Sequence, residues 1–264
     1  MSARREARGD QRVAPCVFLT HPISTHADMT MSWLPSIFNK KTSDTDLIER
    51  YKEIRQIAIQ LNVQLVKMLP NNAAPECGKK LGLIKAGTLI LNNDDEIAIL
   101  YDYCLHHYRR ADKTVIDRYL ETTPPEPESD EAILLETMRR QRFSIFQVEE
   151  SDYPKVILRD LVAGGTLDIV DIGLSSTARP GHVLVGRILP LPEFNISSGI
   201  MIPLPEPTYR ESIAPIVEKF LRNANQGDGP RFSPTHEASF VAQVIRVSLQ
   251  AGGMDNSFYT DVEP

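Results

Sequence analysis

The stretch from residue 143 to residue 205 constrains the fold most, because its pattern is β and helical patterns flank it on both sides. Residues 143–148 (FSIFQV) alternate apolar and polar side chains. Residues 155–161 (KVILRDL) and 166–172 (TLDIVDI) are β-rich runs joined by a link that holds Gly164-Gly165. Glycine takes positive φ without a Cβ penalty, so this link predicts a hairpin. The alternation slips near Val170-Asp171, where a bulge or a strand end is expected. Arg179-Pro180-Gly181-His182 reads as a turn. It leads into a strand at 182–190 (HVLVGRILP) and a last short strand at 194–201, closed by Pro203, Pro205 and Pro207. Five short strands with tight links are too local for a parallel crossover sheet. They predict a small antiparallel sheet, strongly curved or barrel-like.

Helical periodicity surrounds this sheet. A long helix is predicted over about 44–69, with Ser43 as cap and Leu47, Ile54, Ala58, Leu61 and Leu65 on its apolar face. Shorter helices follow at about 75–83, 94–110 (capped by Asn93), 112–120 (capped by Asp112) and 129–141. Pro124-Pro125 and the acidic residues after them form a stiff linker and a boundary. Beyond the sheet, helices are predicted at 209–223, where Pro215 should kink or delay the first turns, and at 234–250, stopped by Gly252-Gly253. The fold class is α+β: a helical N-terminal half, a small curved antiparallel sheet or partial barrel, and two C-terminal helices. The expected organisation is a disordered tail over 1–30, a helical region over 31–123, an α+β region over 129–251, and a loose acidic tail over 252–264. Met29 or Met31 is an alternative start, and the apolar cluster Trp33, Leu34, Ile37 and Phe38 is expected to dock on the core.

Composition narrows the function. The formal net charge of −6 disfavours a dedicated duplex nucleic-acid binder, which must displace phosphate counterions. The strands carry few aromatic residues for stacking single strands, so nucleic acid ranks last among partners. No run of about 18 apolar residues is present, so no membrane span is expected. Cys16, Cys77 and Cys104 are odd in number and far apart in sequence, which argues against a disulfide framework or a zinc ribbon and for a reducing, cytoplasmic setting.

Candidate chemistry is sparse. Cys104, His106 and His107 suggest a metal cluster, but their helical spacing does not converge, and no metal or cofactor is expected. Asp102 and His106, at i and i+4, read as a surface hydrogen bond. Ser175-Ser176 and Ser197-Ser198 lack the G-x-S-x-G elbow, and no strand-to-helix turn is predicted there. No phosphate-loop motif occurs. Arg159, Asp160, Asp168, Asp171 and Arg187 punctuate the apolar strands and fit a cross-strand ion-pair ladder. The alternative is a polar binding face made of Arg159, Asp171, His182 and Arg187.

The segments DLVAGGTLDIVDIGLSS, PGHVLVGRILPLPEF and SSGIMIPLP carry a resemblance. In Asp160, Leu161, Gly173, Pro180, Gly181, Arg187, Pro190, Phe194 and Gly199 the chain resembles uncharacterised bacterial proteins, some of which end in a cysteine-rich, zinc-binding SEC-C tail. That tail has no counterpart here. The resemblance covers about a quarter of the chain and implies a fold and a bacterial cytosolic setting, but no activity. Two functions stand open on these grounds. The first is action through a protein partner or self-association, which calls for an exposed apolar patch on the sheet or the C-terminal helices. The second is an enzyme or ligand-binding protein with a concave polar site between the helical half and the sheet.

Overall fold

A computed structural model of the protein describes residues 43–224 and 233–252. The expected tails over 1–30 and 252–264, the cluster at 33–38 and a predicted loop at 226–230 fall wholly or almost wholly outside these residues. Helix α1 (Asp44–Lys67) starts where the Ser43 hydroxyl accepts a hydrogen bond from Asp46 N at 3.1 Å. Tyr51, Ile54, Ala58, Leu61 and Leu65 recur at three- and four-residue spacing and form its buried face. Helix α2 (Ala73–Leu81) ends at Gly82, whose φ of 78° is the left-handed cap conformation that glycine adopts freely. A two-residue hairpin, β1 (Ile84–Lys85) and β2 (Thr88–Leu89), follows. Helix α3 (Asp94–His107) is capped by Asn93, which accepts from Glu96 N at 2.9 Å.

The next helix corrects the sequence reading. Thr114, not Asp112, caps α4 (Val115–Thr122), because Thr114 and Asp117 form a reciprocal capping box. Asp112 sits instead in the preceding turn with a φ of 60°. Ser129 caps α5 (Asp130–Arg139) as expected.

The sheet is antiparallel throughout, in the order β5-β4-β3-β6-β7. Its strands are β3 (Arg142–Asp152), β4 (Lys155–Asp160), β5 (Thr166–Val170), β6 (Val183–Pro190) and β7 (Asn195–Leu204). The link between β4 and β5 uses Gly164 and Gly165 at φ of 76° and 82°, as the hairpin requires. The slip at Val170-Asp171 is a strand end: the Asp171 carboxylate accepts from Leu174 N at 3.0 Å and starts a short helix, α6 (Ile172–Thr177). A strand-to-helix turn therefore exists where none was predicted, and it carries Ser175 and Ser176. Both hydroxyls donate to the carbonyl of Ile172, which ties them to their own helix. The outer strands β5 and β7 come back into contact, and Asn195 Nδ2 donates to Asp168 O at 2.8 Å across the gap. The sheet is thus a strongly curved, partly closed barrel.

Period-two alternation divides the sheet between two cores. Ile145, Val183 and Val185 face α2, α3 and the last helix, α9 (Pro234–Gln250). Phe146, Val148, Val156, Leu158, Ile169, Leu184, Ile188 and Met201 face the concave interior, which Leu174 and Ala178 join from the α6 end. A third core joins α1, α4 and α5 to Val170, Ile172, Leu189 and Ile196. Strand β6 is buried on both faces, which explains its nearly unbroken apolar run. Gly186 within it is demanded by packing: an added Cβ would overlap Met201 Sδ and stand 2.5 Å from Ile200 O.

After β7 the chain forms α7 (Glu206–Thr208), a π-helical turn over Tyr209–Ile213, and α8 (Ala214–Ala224). The wider turn absorbs the missing amide and the ring bulk of Pro215, which therefore delays the α-helix rather than bending it.

Candidate functional site

The site is built around the C-terminal half of α3. This helix lies between two cores, so Ile99, Leu100, Tyr103, Cys104, Leu105, His106 and His107 are all buried. The sequence reading of an amphipathic helix with a solvent-facing Asp102–His106 pair is overturned: His106 and His107 are each 6% exposed. Asp102 Oδ1 lies 3.9 Å from His106 Nε2, beyond hydrogen-bond reach.

Opposite α3, β6 presents Arg187. It follows Val183 and Val185 on the helix-facing side of the strand, so alternation aims it at α3. Its side chain is fully buried. Nε donates to Asp102 Oδ2 at 3.0 Å, Nη1 donates to Gln141 Oε1 in the α5–β3 link, and Nη2 lies 3.2 Å from His107 Nε2. The guanidinium carbon sits 5.6 Å from the centre of the Phe143 ring, in cation–π range. Arginine is a donor in every accessible protonation state, so the facing His107 Nε2 is the acceptor and the His107 proton is on Nδ1. Burial, and then the Arg187 charge, hold both His106 and His107 well below the usual imidazole range. Both rings are neutral around neutral pH.

Two members of this network, His107 and Gln141, line a polar cleft of about 450 Å³. His106, His107 and Gln141 line its base, and Arg109, Glu136 and Glu237 stand on its walls. A second lobe of about 370 Å³ shares His107 and Arg109 and runs between α2, α3 and α9, past Tyr103 and Tyr108. Arg139 is engaged by Asp117 at 3.2 Å and Glu136 at 3.1 Å, and Arg140 by Glu136 at 3.2 Å. Arg109 donates to a carbonyl, Asp112 O, at 3.0 Å, and its charge also helps to hold the Asp117 carboxyl below the usual carboxylate range. Glu237, in the first turns of α9, has no cationic partner among the described residues. The cleft therefore presents a guanidinium, Arg109, and a carboxylate, Glu237, beside the neutral imidazoles of His106 and His107.

The four residues expected to share a polar face are not brought together. Arg187 lies beside this cleft. Arg159 is exposed on β4 and pairs with Glu149 on β3, its Nε donating to Oε1 at 2.7 Å, a cross-strand contact with a residue outside the expected ladder. Asp171 is buried at the α6 cap, where it accepts from Ser197 Oγ at 2.6 Å and Arg55 Nη2 at 3.2 Å. His182 is an exposed turn residue whose Nδ1 accepts from Arg179 N at 3.3 Å. The intervals along β5 and β6 gave no sign that α6 and α3 separate these side chains. Gln141 and Arg55 were missed, because neither stands in a motif and both act over long sequence separations. Among the described residues, no group of three or more His, Cys, Asp or Glu side chains is placed to hold a metal ion.

Cys104 is a buried thiol, as expected, but it is not isolated. Its Sγ donates to Ala73 O at 3.8 Å, and Cys77 on α2 lies in the same core, close enough to perturb it. The Cys77 thiol, and then burial, push the Cys104 thiol up.

Together these features define an α+β protein whose curved antiparallel sheet is clad in helices and whose polar cleft opens among α3, α4, α5 and α9. Residues 45–231 match the model of a family of unknown function (DUF7986), and the chain belongs to that family. No curated protein and no solved structure matches the chain. Among the described residues no helix is long and apolar enough to cross a membrane.

Proposed function

We propose that the protein binds a small zwitterionic molecule, of the amino-acid or short-peptide class, in the cleft over His106 and His107. The observation that carries this reading is the fully buried Arg187, held by Asp102, His107 and Gln141, beside a polar concavity that His107 and Gln141 line. Ionisable groups desolvated at the base of a cleft mark functional sites more often than surface ion pairs do. Arg109 suits a ligand carboxylate, and Glu237 suits an ammonium group. The test is ligand-observed NMR with the twenty free amino acids and a dipeptide set, on the wild type and on Arg109→Glu. Saturable binding of one class, lost in Arg109→Glu, supports the reading. Absence of binding, or binding unchanged in Arg109→Glu, refutes it.

A second reading, contact with a protein partner or a second copy of the chain, is favoured by one feature. Ile59 and Val63, one turn apart on α1, are 56% and 50% exposed. This patch is on α1, whereas the sequence called for one on the sheet or the C-terminal helices. Sedimentation of the wild type against an Ile59→Asp/Val63→Asp variant tests self-association, and identical profiles count against it. A bacterial cytosolic home completes the proposal, supported by the sequence resemblance and by the unpaired thiols Cys77 and Cys104. Recovery of the native protein with those thiols oxidised would count against that setting.

A further inference from the structure

We infer that the slot between α6 and the end of β7 is a second binding site, for an amphiphile with an apolar chain and an anionic head, of the fatty-acid class. The slot has a volume of about 600 Å³, within the ~300–1,000 Å³ range of small-molecule sites. Its origin lies in the topology. Strand β5 ends at Val170 and hands over to α6, so the far half of β7 has β6 on one side and no strand on the other. The seam of the barrel stays open there. Leu174, Ala178, Leu184 and Met201 line the slot, and all four belong to the apolar interior of the sheet. Val183 and Leu204, which belong to the core on the other face of the sheet, add apolar surface to its lining. Pro203 in β7 removes a backbone donor, which suits an edge strand that is not meant to pair with another strand. An apolar chain is therefore a better occupant than an added β-strand.

The rim sets the head group. Arg179, His182 and Glu206 stand around the mouth. The Glu206 carboxylate is matched by Arg210 at 2.5 Å. The Arg179 guanidinium donates to two carbonyls, Ser176 O at 3.3 Å and Ala178 O at 2.8 Å, and no carboxylate meets its charge among the described residues. His182 accepts through Nδ1, so its ring proton is on Nε2, where it is a donor. A guanidinium and an imidazole N–H beside an apolar slot complement a carboxylate on a hydrocarbon chain.

The test is calorimetric titration of the full chain with decanoate below its micelle concentration, alongside octanoate, decanol and decyltrimethylammonium. Decanoate should bind one to one. Octanoate, shorter by two methylenes, should bind about fifteenfold more weakly. Arg179→Glu should weaken decanoate at least tenfold and leave decanol unchanged, and Ser176→Phe, which narrows the mouth from an exposed position, should weaken both. Circular dichroism checks that the variants fold. Absence of saturable decanoate binding overturns the site. Equal binding of decyltrimethylammonium, or of decanoate to Arg179→Glu, overturns the anionic head, and indifference to Ser176→Phe places any binding elsewhere.

Discussion

Asp102→Asn tests the electrostatic reading of the seam most directly. The substitution keeps the shape of residue 102 and removes one charge. Arg187 is fully buried and cannot give up its proton or reach water. Its other contacts, Gln141 Oε1, His107 Nε2 and the Phe143 ring, are neutral, so the guanidinium would be left without a counter-charge. Breaking a buried ion pair from one side costs about 3–5 kcal/mol. The amide oxygen of asparagine still accepts one hydrogen bond, which sets the expectation at about 3 kcal/mol, with Asp102→Ala higher. The assay is urea unfolding followed by far-ultraviolet circular dichroism, because the one tryptophan, Trp33, lies outside the described residues. Arg187→Met completes the cycle. It leaves Asp102, whose side chain is 11% exposed and so partly hydrated. The double variant should be no less stable than Asp102→Asn alone, giving a coupling of about 2 kcal/mol or more. A loss below about 1 kcal/mol in Asp102→Asn, or strictly additive single effects, would refute the claim that this pair is desolvated and coupled.

Three further outcomes are expected. His106 and His107 are neutral in the folded protein and take up protons near pH 6.5 when unfolded, so their contribution is complete above that pH and falls as pH drops through it, by up to about 1.4 kcal/mol per pH unit for each ring. Urea midpoints at pH 7.5, 6.0 and 5.0 check this, and a flat profile counts against burial of the two rings. Gly186→Ala should destabilise by about 2 kcal/mol or more, since the new methyl meets the Ile200 carbonyl and Met201 and a backbone oxygen yields little; thermal unfolding reads the loss. Asp160→Ala should cost about 3 kcal/mol, because Oδ1 accepts from Ser144 Oγ at 2.6 Å and from Val162 N and Ala163 N at 2.8 Å, leaving three donors unmatched at the β4 end; loss of amide protection in the 161–165 link is the local signature.

Several features were legible in the sequence because they are local. Ser43, Asn93 and Ser129 cap the helices they precede, since a cap is satisfied by an amide three residues away. Gly164-Gly165 marks the β4–β5 hairpin because the turn itself demands positive φ. Antiparallel pairing and the curved sheet follow from short strands with short links. The α+β class and the two last helices were read on these grounds. The sequence also determined that Arg187 interrupts an apolar strand.

Tertiary structure alone decided what that arginine does. Its partners Gln141, His107 and Asp102 lie 46, 80 and 85 positions away, distances over which local periodicity carries no information. The amphipathic reading of α3 assumed one wet face, and packing between two cores removed it, which buried His106 and His107 and neutralised them. Asp171 looked like a strand residue facing His182 and became a helix cap tied to Arg55, 116 positions away. Cys77 and Cys104, distant in sequence, meet in one core. In each case the side chain's chemistry was readable from its type, but its protonation, exposure and partner were set by which surfaces the remaining elements covered.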